Sequence, residues 1–208
     1  MANSDIRSKY FAADATAADA DGVCQSQTPA AGGVQNLTIN GAQSSGGVAT
    51  FVAARLITIT SAGADSGRTF TVTGTDVNGF AQTETITGPA TTTVTGTKYF
   101  RTVTQVSVDA NTAGAITVGM SNSSVDVIFA GRMRLRGLYI VNSASAGTVA
   151  VRNGGAAGAI GVQLGTVADD KAISDVEMRE QGILFADGGY VAYAANAPAF
   201  ASITAFYS

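Results

Sequence analysis

The chain has 208 residues, 46% of them apolar and only 13% charged, about half the usual ~25% share, and its formal net charge is -3. That balance is too apolar for disorder, and a sequence pI near 4.8 disfavours nucleic acid as the main partner. With no His and a single cysteine, Cys24, the chain lacks the commonest general base and metal ligand. It can form neither an intrachain disulfide nor a Cys-cluster zinc site.

Residues 1–33 are dominated by Ala, Asp, Ser, Gln and Gly, with Tyr10 and Phe11 as an isolated aromatic pair. The stretch 12–20 has helix-compatible alanines, which Asp14, Asp19 and Asp21 weaken. Two readings stand side by side. One is a loose terminus; the other is an extended N-terminal arm that orders against a neighbour, with Tyr10 and Phe11 as its anchor. The opening residues carry no apolar segment of the kind a secretion signal needs, so none is expected. No run of ~18 apolar residues occurs, so no transmembrane helix is expected. Cys24 lies among small and polar residues and reads as a free, inert thiol, with an interchain disulfide as the alternative.

From residue 34 onward, short alternating segments follow one another. Strands are predicted at 34–39, 48–52, 56–61, 69–73, 82–87, 91–95, 99–108 and 115–118. Alternation of Thr69, Thr71 and Thr73 with Phe70 and Val72 is the two-residue period of a strand with one buried face. The Asp-Val-Asn-Gly sequence at 76–79 joins two such segments as a hairpin turn, because Asn and Gly tolerate positive φ. It also resembles half of a calcium loop, but the later ligand positions of that pattern are missing. Near Ser121-Asn-Ser-Ser124 the composition shifts: Thr thins out, and Arg, Tyr and Phe gather. A linker or domain boundary is placed there. Further strands are predicted at 125–129, 133–141, 148–151, 160–164, 173–178, 183–185, 190–193 and 201–207. The expected fold is all-β: an N-terminal arm (1–33), an antiparallel β-sandwich (34–121) and a second sandwich or jelly-roll-like module (122–208). One continuous sandwich is the alternative.

Several strings carry a resemblance. Ile59-Thr-Ser-Ala-Gly63, Arg68-Thr-Phe-Thr-Val-Thr-Gly74, Glu84-Thr-Ile-Thr-Gly88 and Lys98-Tyr-Phe-Arg-Thr-Val103 look like structural proteins of tailed bacteriophages. In the second half, Arg136-Gly-Leu-Tyr-Ile-Val-Asn142, Gly147-Thr-Val-Ala-Val151, Gln181-Gly-Ile-Leu-Phe185 and Tyr190-Val-Ala-Tyr193 are similar to another module of phage virion proteins. The resemblance covers most of residues 34–208. It implies β-sandwich modules, symmetric homo-oligomers and no catalysis, and it brings no set of active-site residues.

Arg132, Arg134 and Arg136 alternate with Met133 and Leu135, so on a strand the three guanidiniums share one face. That face is either a solvated surface or a contact with an acidic capsid surface or neighbouring subunit, since the planar fork of Arg pairs bidentately with carboxylates. Contact with DNA is disfavoured by the net negative charge. Glu177 and Glu180 are paired carboxylates of the kind a glycosidase uses, but such enzymes use aromatic-rich grooves, and this chain has no Trp. The glycines at 154, 155, 158 and 161 lack the Lys-Ser/Thr of a phosphate loop. Asp169, Asp170 and Lys171 mark an exposed loop.

The function these residues imply is structural. The chain reads as a capsid decoration (cement) protein of a tailed phage, made in the host cytoplasm and carried on the capsid surface. Its expected partners are the major capsid protein and itself, as a homotrimer, because so sparse a surface charge suits covered surfaces. No enzyme activity, cofactor, nucleic acid or membrane is expected. A tail, neck or baseplate component and a receptor- or glycan-binding head fibre are the alternatives.

Overall fold

The computed structural model describes residues 5–169, 172–179 and 181–208. All regular structure among them is β, and the strand pairing is antiparallel. The chain divides into two compact units: residues 17–124, and residues 125–208 together with the first sixteen.

The unit of residues 17–124 holds β2 (Asp19–Gln27), β3 (Gln35–Leu37), β4 (Ser44–Ser45), β5 (Val48–Ser61), β6 (Thr69–Thr75), β7 (Ala81–Thr87), β8 (Thr93–Val108) and the first part of β9 (Ile116–Phe129). The strand order is β9-β5-β8-β6-β7, with β2 on β9, β3 on β8 and β4 on β5. The hairpin β6–β7 runs in unbroken register from Thr69↔Thr87 to Thr75↔Ala81. Its turn is held by Asp76, whose Oδ1 accepts from the Asn78 and Phe80 amides at 2.8 and 2.9 Å, while Gly79 takes φ +85. Phe70 and Val72 are fully buried, whereas Thr71 and Thr73 are half-buried, as period two requires. With Phe51, Ile59, Phe100, Val106, Val118 and others they form one apolar cluster.

Three strands are longer than the sequence predicts. Residues 48–52 and 56–61 belong to one strand, β5, and residues 99–108 continue the strand that starts at Thr93. The break in pattern is a shift of register in each case: between Thr50 and Arg55, and between Leu56 and Thr58 opposite Thr95 and Tyr99. Bulges change which face a residue meets without ending the strand. The linker or domain boundary expected at 121–124 is likewise the middle of β9, and the two units divide there, between residues 124 and 125. Its polar residues serve the backbone: Asn122 Oδ1 accepts from the Ala18 amide at 2.6 Å, and the Ser121 carbonyl accepts from the fully buried Arg55 guanidinium at 2.9 Å.

The other unit begins with β1 (Arg7–Ala12) and continues with the last residues of β9. Then come β10 (Met133–Asn142), β11 (Gly147–Asn153), β12 (Ile160–Thr166), β13 (Ile173–Glu177), β14 (Ile183–Phe185), β15 (Gly189–Ala194) and β16 (Phe200–Tyr207). One sheet has the order β1-β16-β10-β13, with β14 also on β10; the facing layer is β12-β11-β15-β9. Leu135, Leu138, Ile140 and Ile203 from the first meet Val149, Val151 and Val191 from the second in a single core, which makes this unit a sandwich.

Residues 1–33 are therefore not an arm, across the part that is described. β1 is paired residue for residue with β16, from Arg7↔Tyr207 to Ala12↔Ser202. β2 sits on β9, where Gly119 is required because a Cβ there would overlap the Asp19 carbonyl oxygen. Val23 and Cys24 are fully buried. The few apolar side chains of this stretch are divided between the two units, Phe11 in one core and Val23 and Cys24 in the other. No helix forms at 12–20. Instead Asp14 is buried, its amide donates to the Tyr193 hydroxyl at 2.9 Å, and that hydroxyl donates to Asp126 Oδ2 at 2.8 Å. Burial first, and then the Asp126 carboxylate, raise the Tyr193 pKa, so its hydroxyl keeps the proton this bridge needs.

Tyr10 and Phe11 have opposite fates. Tyr10 is 64% exposed; Phe11 is buried, with its ring edge-on to Phe200 at 6.1 Å. Phe11→Ala should therefore destabilise the sandwich unit by about 3 kcal/mol, whereas Tyr10→Ala should change it by less than about 0.5 kcal/mol. Hydrogen exchange of the β16 amides measures both; equal effects would place both rings on the same footing.

Candidate functional site

Of the three arginines predicted to share a strand face, Arg134 lies on β10, Arg132 just precedes it and Arg136 sits at a bulge, yet all three line one cleft. Met133 and Leu135 are buried, Arg132 is exposed, and Arg134 and Arg136 are half-buried. Arg134 exchanges two backbone hydrogen bonds with Ser208, at 2.8 and 3.0 Å, and its guanidinium donates to the Gln181 carbonyl at 3.4 Å. Arg136 Nε donates to Ser208 Oγ at 3.0 Å. Arg136 is also the extra residue of a bulge: Leu135 pairs with Tyr207 and Gly137 with Phe206, so two steps on β10 match one on β16.

A fourth arginine completes the group. Arg7 on β1 lies opposite Tyr207, which lies opposite Leu135. Arg7, Arg132, Arg134 and Arg136 line a cleft of about 580 Å³; among the described residues Asp5 is its one acidic side chain, and Ser208 lines it as well. Its apolar lining includes Phe129 and Tyr207, stacked at 5.5 Å and 26°. Four guanidiniums on an apolar floor bind carboxylate or phosphate oxygens well. Their forks are planar and matched to such anions, and a low-dielectric floor strengthens each charge-assisted bond. Arg7 was not legible as a member of this group, because only the β1–β16 register brings it there.

The remaining candidates are structural. The 76–79 segment is the β6–β7 turn, and Gly154 and Gly155, at φ +80 and +128, turn the chain between β11 and β12. Glu177 is exposed on β13; Glu180, Asp170 and Lys171 lie outside the described residues. Two buried carboxylates are occupied by backbone. Glu84 Oε1 accepts from the Thr97 amide at 2.6 Å and from its hydroxyl at 2.9 Å, which secures the bulged part of β8. Asp65 accepts from Ser61 Oγ at 2.5 Å and from the Ala113 amide at 2.7 Å. Among the described residues no group of three or more Cys, Asp or Glu side chains is placed to hold a metal ion, and no helix is long and apolar enough to cross a membrane.

No family model, no curated protein and no solved structure matches the chain.

Burial pushes the Cys24 thiol up from its ordinary 9.0 to about 12, so the nucleophilic thiolate is scarce at neutral pH. This has a pH signature. Below pH 9 the thiol is protonated both folded and unfolded; above it the unfolded chain loses the proton and the folded chain keeps it. Folding stability should then fall between pH 9 and about 12, by up to about 1.4 kcal/mol per pH unit. Cys24→Ala should lose this component while keeping whatever other groups contribute. Urea midpoints of both proteins across that range check it, and parallel curves would refute it.

Proposed function

We propose that the chain is a non-catalytic structural protein of a tailed-phage virion: a capsid decoration protein whose arginine cleft seats on an acidic surface of the major capsid protein. The observation that carries this reading is the cleft itself. Two strands from distant parts of the chain bring four guanidiniums together, with Asp5 the one acidic side chain among the described residues that line the cleft. Arg in a partly desolvated cleft with aromatic neighbours is the residue type that most often anchors protein interfaces. The phage-like strings at 68–74 and 181–185 point to the virion as the setting. The absence of His in a chain of 208 residues favours binding over catalysis.

The mechanism is mechanical. The sandwich unit is held by strands hydrogen-bonded along their length, and the other unit has an apolar core of its own. A homotrimer presents three such clefts at once, and linked contacts multiply affinity without any one of them being strong. No cofactor, nucleic acid or membrane enters this mechanism.

The double variant Arg132→Glu/Arg134→Glu should fold normally, as Arg132 is exposed and Arg134 half-buried. It should bind purified heads lacking the native protein about tenfold or more weaker than the unaltered chain. The unaltered chain should itself be released by rising salt. Retention of the double variant at the unaltered level across a dilution series would sink the cleft as the docking site. Labelling on intact particles should show many evenly spaced copies over the shell. A label confined to the tail vertex would make the chain a tail, neck or baseplate component instead.

A further inference from the structure

We infer that the outward face of the sheet β1-β16-β10-β13 is a binding platform for a neutral glycan, which among the described residues shares only Arg136 with the arginine cleft and is independent of the shell-docking reading. The argument starts from register. Tyr10, Thr204, Tyr139 and Asp175 stand in one row across four strands, and Ser8, Phe206, Gly137 and Glu177 in the next row of the same face. The row between them holds Lys9, Ala205, Leu138 and Val176, and the row beyond Tyr10 holds Phe11, Ile203 and Ile140; of these, Ala205, Leu138, Phe11, Ile203 and Ile140 are buried on the opposite face. The outward rows remain open: Tyr10 is 64% exposed, and Tyr139 and Phe206 are each 37% exposed.

Beside these rings lies a trough of about 460 Å³, lined by Ile6, Phe206, Gly137, Asp175, Glu177 and Arg179 and bordered by Arg136. Its volume is that of a small-ligand site. Gly137 keeps the floor low: a Cβ there would stand 3.1 Å from the Val176 carbonyl oxygen and would begin to fill the trough.

The charges choose the occupant. Among the described residues of the trough's lining, Asp175 and Glu177 are balanced by Arg136 and Arg179, so these side chains together favour neither an acidic nor a basic partner. What it offers is aromatic faces next to carboxylates and guanidiniums. A sugar ring matches both, with C–H faces for the rings and hydroxyls for the charged groups. Each carboxylate oxygen accepts from hydroxyls, and each guanidinium donates to them. Tyrosine suits this role, since its body is apolar and its tip polar. The two tyrosines lie two strands apart, about 10 Å, with only Thr204 between them. An extended oligosaccharide can therefore lie across both.

The test uses the full chain with cellohexaose, maltohexaose and chitohexaose, by ligand-observed NMR and calorimetry at millimolar sugar. At least one should bind. Tyr139→Ala and Glu177→Gln should each weaken that binding by about tenfold, and Tyr139→Phe should restore the stacking. Arg132→Glu/Arg134→Glu should leave sugar binding intact while it weakens shell binding, so the two sites fail separately. Binding of none of the three sugars, or binding unchanged in both Tyr139→Ala and Glu177→Gln, would overturn the platform.

Discussion

A strand can keep one face buried over many residues only while its two-residue phase stays aligned with the core, and a sheet that bends breaks that alignment. The longest strands of this chain meet the constraint by resetting phase with bulges rather than by ending. β8 buries Phe100, Val103 and Val106, a spacing of three where an unbroken strand would show two. Each reset exposes backbone groups that the ladder would have paired. The chain answers with side chains. Glu84 takes the Thr97 and Lys98 amides beside the bulge of β8, and is stable as a buried carboxylate because those bonds replace water.

The same device makes the candidate sites. On β10, the extra residue Arg136 moves the buried positions from Met133 and Leu135 to Leu138 and Ile140. Arg136 thereby steps out of the alternation, reaches Ser208, and lines both the arginine cleft and the neighbouring trough. Without the bulge, Tyr139 would turn inward and Leu138 outward. A one-residue insertion is what separates a basic cleft from a charge-balanced aromatic face.

Most of this was legible where alternation is local. The hairpin β6–β7, the apolar face of Met133 and Leu135, and nearly every strand after residue 125 follow from period two and turn residues alone. The failures share a cause. β1 and β2 are polar segments whose strand character is imposed by partners far along the chain, so their sequence carries no periodic signal of its own. Ser121 to Ser124 do mark the division between the two units, but not as a linker: they lie inside β9, where Asn122 and the Ser121 carbonyl satisfy the Ala18 amide and the Arg55 guanidinium. Arg7 could not be grouped with Arg134 without knowing the register. The rows that unite Tyr10 with Tyr139 were hidden for the same reason.

The pairing of β1 with β16 has a consequence for biosynthesis. A strand at residues 7–12 leaves the ribosome long before its partner at 200–207 exists. Residues 17–124 can complete their own core in that interval, since domains fold as units from the N-terminal side. Throughout it β1 trails as an unmated strand, with Phe11 in water. Its neighbours Arg7, Ser8 and Lys9 are polar or cationic, and charge on a lone strand discourages premature pairing with other nascent chains. Residues 200–207 thus act as the fastening step for the strand at 7–12, which has no partner in this sheet until they are made.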